Sequence, residues 1–186
     1  HIGVFSLNYH KHIHTGEGGI CCTNDDDLAL RLRAIRNHGE NITESLKIDN
    51  ITNFVGFNFR MTELSASIGI EQLKKLNKNL KRRNKFYFQI YQEYKNNNNL
   101  LNFDFKNFKF FSPFAFPVVC KKEIYKNKLL KKFVDNGVEC RPMIAGNITS
   151  QPFYSNLFKK EKLRNCEFVH KNGFYFGIHP EMSRKQ

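Results

Sequence analysis

Along the first 23 residues, short apolar runs alternate with turn formers. HIGVFSL (1–7) reads as a strand, and GGICCT (18–23) reads as a second strand after the glycine-rich turn at 16–19. TNDDDLALRLRAIRNHG (23–39) reads as a helix. Asn24 is its expected N-cap, Asp25 to Asp27 favour the positive end of the helix dipole, and Gly39 can close it. Leu28, Leu32 and Ile35 give its buried stripe. Residues 40–60 are polar and then aromatic and are expected to form an ordered loop. A longer helix is predicted from Thr62 to about Tyr94. Leu64, Ile68, Leu73, Leu76 and Leu80 recur at helical spacing, while Lys74, Lys75, Lys78, Lys81 and Arg82 fall largely on the other faces.

KNNNNLLN (95–102) is the clearest linker, low in complexity and rich in turn formers. The pattern then restarts. FKFFSPFAFPVV (108–119) is strand-like, with prolines that point to an edge or a bulge. KKEIYKNKLLKKFVDNG (121–137) is an amphipathic helix ended by Gly137, and VECRPMIAG (138–146) is a strand leading into a loop. RNCEFVHKNGFYFGIHP (164–180) carries a helix end, a turn at Asn172-Gly173 and a short aromatic strand. This second part is expected to be a small α+β unit.

With 186 residues and 40% hydrophobic content, the chain can bury a core as one domain or two small ones. It has no run of 18 apolar residues, so no membrane span is expected. HIGVFSLNYH lacks a signal-peptide pattern and an initiator methionine, so the sequence is expected to be a fragment of a longer protein. Five cysteines without a C-x-x-C spacing are expected to be small buried residues in a reducing, cytoplasmic setting. The net charge of +13 raises the possibility of a basic nucleic-acid-binding protein. The lysines, however, are scattered among Asn, Ile and Phe along the chain rather than gathered in one patch, and nucleic acid is disfavoured.

The chemistry concentrates in SLNYHKHIHTGEGGI (6–20). Lysine forms a Schiff base with a carbonyl when unprotonated, and burial or nearby positive charge favours that state. Lys11 stands between two histidines just ahead of a glycine turn, where a rigid ligand could approach the backbone. His10, His12 and His14 would share one face of a strand, with Lys11 on the other. No nearby cysteine or patterned carboxylate completes a metal set, so no metal is expected. The GEGG turn lacks the Lys-Ser/Thr pair of a P-loop.

The whole segment resembles the active-site lysine segment of nucleotide-sugar aminotransferases of the DegT/StrS type, fold-type-I enzymes that use pyridoxal 5'-phosphate. The resemblance is carried by Ser6, Lys11, Thr15-Gly16-Glu17-Gly18-Gly19, Thr23-Asn24-Asp25 and Arg36-Asn37-His38-Gly39. A second block of the same family appears in order as Gly56-Phe57-Asn58-Phe59-Arg60-Met61-Thr62-Glu63. The resemblance implies an α/β architecture in three parts. Residues 1–61 would end the cofactor-binding large domain, 62–95 would form a connecting helix and linker, and 96–186 would be a small C-terminal α+β domain.

It also implies roles. Lys11 would hold the cofactor covalently and then shuttle a proton. Ser6 would bond the cofactor phosphate, and Asn58 would reach the phosphate of a neighbouring subunit's cofactor, in a homodimer with shared active sites. Arg60 would support that loop or contact the amino donor or sugar nucleotide, while His38 has no assigned part. The substrates implied are glutamate and a nucleotide-linked keto-deoxysugar, for a surface polysaccharide or a glycosylated product. The family's N-terminal aspartate for the pyridine nitrogen, its aromatic stacking ring and further phosphate ligands have no counterpart here, so the fragment alone is not expected to turn over substrate. A branch of the family, the nucleotide-sugar 3-dehydratases, replaces the lysine with histidine. Lys11 argues for amino transfer, whereas ECRPMIAGNITSQPFY (139–154) and HKNGFYFGIHP (170–180) look more like the dehydratase branch. Arg141, Asn147 and His179 are the candidates there for shaping a sugar pocket.

Overall fold

The computed structural model describes residues 1–42, 48–52, 55–104, 111–159 and 161–182, with only the backbone of residues 41–42 and 48–52. The chain divides into two compact units, His1–Asn77 and Lys78–Gln186. Among the described residues no helix is long and apolar enough to cross a membrane.

The first unit opens with β1 (Gly3–Ser6) and β2 (Gly19–Cys22), an antiparallel ribbon in which Val4 faces Cys21 and Phe5 faces Ile20. Both strands lie where the apolar runs place them. Cys21 and Cys22 are exposed, against their expected burial, because nothing among the described residues of this unit covers the ribbon; Cys120 is buried as expected. Helix α1 (Asp26–Arg36) starts one residue later than the sequence predicts: Asp25, not Asn24, is the N-cap, accepting the Leu28 N–H at 3.0 Å. Thr23 Oγ1 in turn accepts the Asp25 N–H at 3.2 Å, which turns the Asp25 carboxylate toward the helix end. Leu28, Leu32 and Ile35 are half-buried, and the small Ala34 makes the tightest contact.

The expected loop at 40–60 contains an antiparallel ribbon instead, β3 (Glu40–Ile42) with β4 (Ile48–Thr52). Its strands are short and half polar, so apolar alternation is too weak to announce them. The remainder of that loop at 43–47 and 53–54 lies outside the described residues, as does the start of the predicted strand at 108–110. Helix α2 (Glu63–Tyr94) matches its predicted span. Thr62 caps it by accepting the Ser65 N–H at 3.2 Å.

In the second unit the C-terminal turns of α2 meet a three-stranded antiparallel sheet of order β5 (Ala115–Val119), β7 (Gly173–Gly177) and β6 (Cys140–Pro142). Pro117 sits on β5, an outer strand, where its missing N–H costs no ladder bond. Central β7 carries Phe174 and Phe176 into the core with Tyr87, Tyr94, Leu100, Phe116, Val118, Cys120 and Ile178. Helices α3 (Glu123–Asp135) and α5 (Arg164–Asn172) flank the sheet. Gly137 follows α3 at φ +75°, the left-handed stop that the sequence predicts.

No turn separates α5 from β7: Gly173 passes straight from helix to strand. A Cβ there would fall 2.6 Å from the Val169 carbonyl and 2.9 Å from Met143. Two further elements, a 3-10 turn at Ile148–Ser150 and α4 (Pro152–Leu157), are too short for periodicity to reveal.

The buried phenols are the polar weak point of this core. Tyr94 donates to the Leu101 carbonyl at 2.6 Å and accepts the Val119 N–H at 3.4 Å. Burial pushes its phenol up to about 12, and burial likewise raises that of Tyr87. A folded pKa above the unfolded value of about 10 gives stability that is complete below pH 10 and is lost as pH rises through the folded value. Burial raises the Cys120 and Cys140 thiols too, so unfolding free energy, followed by urea titration, begins to fall in the ordinary thiol range of about pH 8.5–9 and falls further between about 10 and 12 as the phenols titrate. In the same assay Phe174→Ala, at a site with no exposed surface, lowers stability by about 3–5 kcal/mol.

Candidate functional site

Two constructions in the first unit gather the sequence-predicted residues. The first joins Ser6 to Lys11. After β1 the chain pairs a little further, with Leu7 N–H to the Gly18 carbonyl at 2.9 Å and Thr15 N–H to the Leu7 carbonyl at 3.0 Å. Between these bonds the chain turns twice. Ser6 Oγ accepts the Asn8 N–H at 3.3 Å, and Asn8 Oδ1 accepts the His10 N–H at 3.1 Å. The Asn8 carbonyl accepts the Lys11 N–H at 2.9 Å, and Asn8 Nδ2 donates to Glu17 Oε1 at 2.7 Å. Asn8 is thus the hub that sets the spacing of Ser6 and Lys11. The sequence reading missed it, although Ser-x-Asn-x-His is a legible signal for side-chain-capped turns.

Lys11 is exposed, and its amine forms no hydrogen bond or ion pair among the described residues. Among the described residues the Ser6 hydroxyl has an acceptor role only, which leaves its proton to donate. Because residues 9–13 form turns and bends, the alternation expected for His10, His12 and His14 on a strand face does not hold. The glycines also have a different reason from the one expected. A Cβ on Gly18 would fall 2.6 Å from Thr15 Oγ1 and 2.7 Å from the Met61 methyl, and one on Gly19 would fall 3.2 Å from the Phe5 carbonyl. They let the chain pack on itself. Only Gly16, at φ +81°, faces open space.

The second construction joins the two motif blocks. Where α1 ends, His38 and Gly39 are left-handed, at φ +60° and +85°. The 56–59 segment crosses them. Phe57 N–H reaches the Ile35 carbonyl at 2.7 Å, Phe59 N–H reaches the Arg36 carbonyl at 3.0 Å, and His38 N–H reaches the Phe57 carbonyl at 3.0 Å. Asn37 and Asn58 form a bridge pair. The side chains then converge: Arg60 Nε donates to Asn58 Oδ1 at 3.1 Å, and Arg60 Nη2 lies 3.5 Å from His38 Nε2. Asn58 and Arg60 are brought together as neighbours, with His38 as the third member. Among the described residues no hydrogen bond joins this group to Ser6 or Lys11.

The second unit treats its three candidates differently. Asn147 is 2% exposed, and both polar atoms of its amide are bonded, to Thr149 and to Glu167 on α5. Its Oδ1 accepts from Thr149 Oγ1 at 2.8 Å and from the Thr149 N–H at 3.2 Å, while Nδ2 donates to Glu167 Oε2 at 2.9 Å. That bond to Asn147, with a second to Lys171, holds the Glu167 carboxyl below its ordinary value. Asn147 anchors its loop, and the expected sugar contact is withdrawn. Arg141 is exposed but paired with Glu139 at 2.8 Å. His179 is exposed; its Nδ1 accepts the Glu181 N–H at 3.3 Å, which leaves Nε2 outward. The preceding Ile178 carbonyl is held by Arg83 from α2.

An exposed amine, a hydroxyl with a free proton and an outward amide suit an aldehyde bearing a phosphate, so Lys11, Ser6 and Asn58 fit pyridoxal 5'-phosphate. The sequence matches the DegT/DnrJ/EryC1/StrS aminotransferase family over residues 1–186, and the chain belongs to that family. It is 32% identical over 207 residues to the GDP-4-keto-6-deoxy-D-mannose 3-dehydratase of Escherichia coli O55:H7, covering 96% of this chain and 50% of that protein. It is 26% identical to the UDP-4-amino-4,6-dideoxy-N-acetyl-beta-L-altrosamine transaminase of Campylobacter jejuni, covering 99% and 49%.

Among solved structures, the E. coli dehydratase with bound hydrated PLP superposes with a TM-score of 0.82 at 28% identity, covering 96% of this chain and 50% of that one. Helicobacter pylori PseC, an aminotransferase, shares the fold with a TM-score of 0.85 at 22% identity, covering 99% and 49%. The fold is the α/β fold of fold-type-I PLP enzymes, and structural neighbours bind that cofactor. The chain spans about half the length of the curated relatives it matches.

The crossing of the two motif blocks leaves no room for a side chain at position 56. A Cβ there would fall 2.0 Å from the Gly39 nitrogen. Gly56→Ala is expected to destabilise the protein by about 3 kcal/mol, read as a lower urea midpoint.

Proposed function

We propose that this sequence carries the covalent cofactor lysine of a PLP-dependent aminotransferase that moves an amino group from glutamate to the keto group of a nucleotide-linked deoxysugar. The observation that supports this most directly is Lys11: an exposed amine, unpartnered among the described residues, on a turn whose geometry Ser6 and Asn8 define. Bound there, pyridoxal 5'-phosphate would supply the electron sink that such transfers need. Lys11 Nζ would hold the cofactor's aldehyde carbon and, once displaced by substrate, move a proton at the carbon that gains or loses the amine. The Ser6 hydroxyl would donate to the cofactor phosphate. The Asn58 amide would donate to the phosphate in a second subunit of a homodimer, with Arg60 beside it. His179 Nε2 and, if released from Glu139, Arg141 are the groups of the second unit left to meet a sugar nucleotide. The working compartment would be the cytoplasm, and the product would enter a surface polysaccharide or another glycosylated molecule.

A second reading is favoured by the 32% identity to a 3-dehydratase over 96% of the chain. A histidine in place of the lysine distinguishes that branch. The amine at position 11 favours transfer, because a primary amine both binds the aldehyde covalently and returns as a base. Product analysis with a keto sugar nucleotide and glutamate separates the two: an amino sugar supports transfer, a 3-deoxy ketose supports dehydration.

The assignment of Lys11 is tested in a family-length enzyme containing these residues. Incubated with pyridoxal 5'-phosphate and reduced with borohydride, the peptide containing Lys11 gains the pyridoxyl mass. Lys11→Ala loses the label and the visible absorbance while its melting temperature without cofactor stays unchanged. Label that persists elsewhere, with full transfer activity in Lys11→Ala, refutes the assignment.

A further inference from the structure

His38 is one of two non-glycine residues with a left-handed backbone among the described residues, at φ +60°. Glycine adopts that conformation without steric cost, so a bulky residue there points to a side chain that is needed. The need is visible in its contacts. His38 Nε2 lies 3.5 Å from Arg60 Nη2, and Arg60 Nε donates to Asn58 Oδ1 at 3.1 Å. A guanidinium only donates. In a hydrogen bond between the two, the imidazole Nε2 is therefore the acceptor. Asn58 has its oxygen held by Arg60, so its NH2 is the half that faces away. What remains outward is a set of donors alone: the Asn58 amide and the N–H groups of Arg60 not engaged by His38 or Asn58. Such a set suits an oxyanion.

We propose that His38 is a positioning residue for a phosphate site. It holds Arg60 in place and, through Arg60, fixes the Asn58 amide with its NH2 presented to the cofactor phosphate. The left-handed turn at 38 exists to aim the imidazole at Arg60, while the backbone of the same residue bonds the Phe57 carbonyl at 3.0 Å and so ties the aim to the loop that carries Asn58. This rests on the reading of Asn58 as a phosphate ligand.

The test uses a family-length enzyme containing these residues, with two probes: pyridoxal 5'-phosphate and phosphate-free pyridoxal. Binding is followed by visible absorbance, and stability without cofactor by thermal melting. His38→Gly keeps the left-handed turn without strain, so its melting temperature is equal to the parent's or higher. Its Kd for pyridoxal 5'-phosphate rises about tenfold, the loss of roughly one charge-assisted bond, and its Kd for pyridoxal is unchanged. His38→Gln places an amide oxygen about where Nε2 stands and so restores affinity toward the parent value, at some cost in melting temperature from the left-handed turn. Asn58→Ala weakens the phosphate-bearing probe at least as much as His38→Gly does. If Asn58→Ala binds weakly while His38→Gly binds like the parent, the positioning role is overturned and the Asn58 reading stands. If His38→Gly loses both probes equally, the effect is structural and the proposal fails. If Asn58→Ala binds like the parent, the phosphate reading itself falls and takes the proposal with it.

Discussion

The first unit depends on one close crossing of backbones. Gly56 lies against the peptide of His38 and Gly39 with no space for even a methyl group. Three backbone hydrogen bonds fasten the 56–59 segment across the end of α1 at that crossing. Two motif blocks separated by a stretch of unrelated sequence thereby become one object. The crossing sits on the left-handed pair His38 and Gly39, and it brings Asn58 and Arg60 beside His38. Buried peptide groups must be paired, and here the end of a helix and the start of another supply each other's partners.

The lysine turn is built by a different device of the same kind. Ser6, Asn8 and Glu17 settle its shape through short-range bonds, and Gly18 and Gly19 let it fold against Thr15, Met61 and β1. Local polar bonds of this type are cheap to form because they close small loops. They leave the Lys11 amine outside the network, available to react. The second unit works on the opposite principle. Its sheet and helices close around aromatic rings from α2, β5 and β7, and its polar groups are recruited to keep loops in place. Asn147 shows this most clearly, since every polar atom of its side chain is committed to Thr149 or Glu167.

Reading along the chain recovers what depends on neighbours in sequence. The apolar runs located β1, β2 and the long helix, and Gly137 marked the end of α3. Pro117 signalled an outer strand correctly, because a missing N–H is a local property with a topological consequence. The misses share a cause. β3 and β4 are short and half polar in sequence, so their pattern is faint. Asn24 lost the capping role to Asp25 because Thr23, one residue further back, had already turned the chain. Cys21 and Cys22 were expected inside because of what cysteine is, whereas their exposure follows from what lies next to the ribbon.

The chemistry of this protein is written in its sequence: a lysine beside a capped turn, a hydroxyl five residues before it, and two ordered blocks that place the chain in its family. Those are identities and spacings, and spacing survives in one dimension. Which groups are free to act was decided only in three dimensions. Asn147 and Asn58 are the same residue type, both offered by the sequence as ligands. One is buried with its amide held by three bonds, and the other stands in the open with its oxygen held by Arg60. An amide can serve a ligand only if the fold has left its donors unsatisfied, and satisfaction is settled by residues distant along the chain.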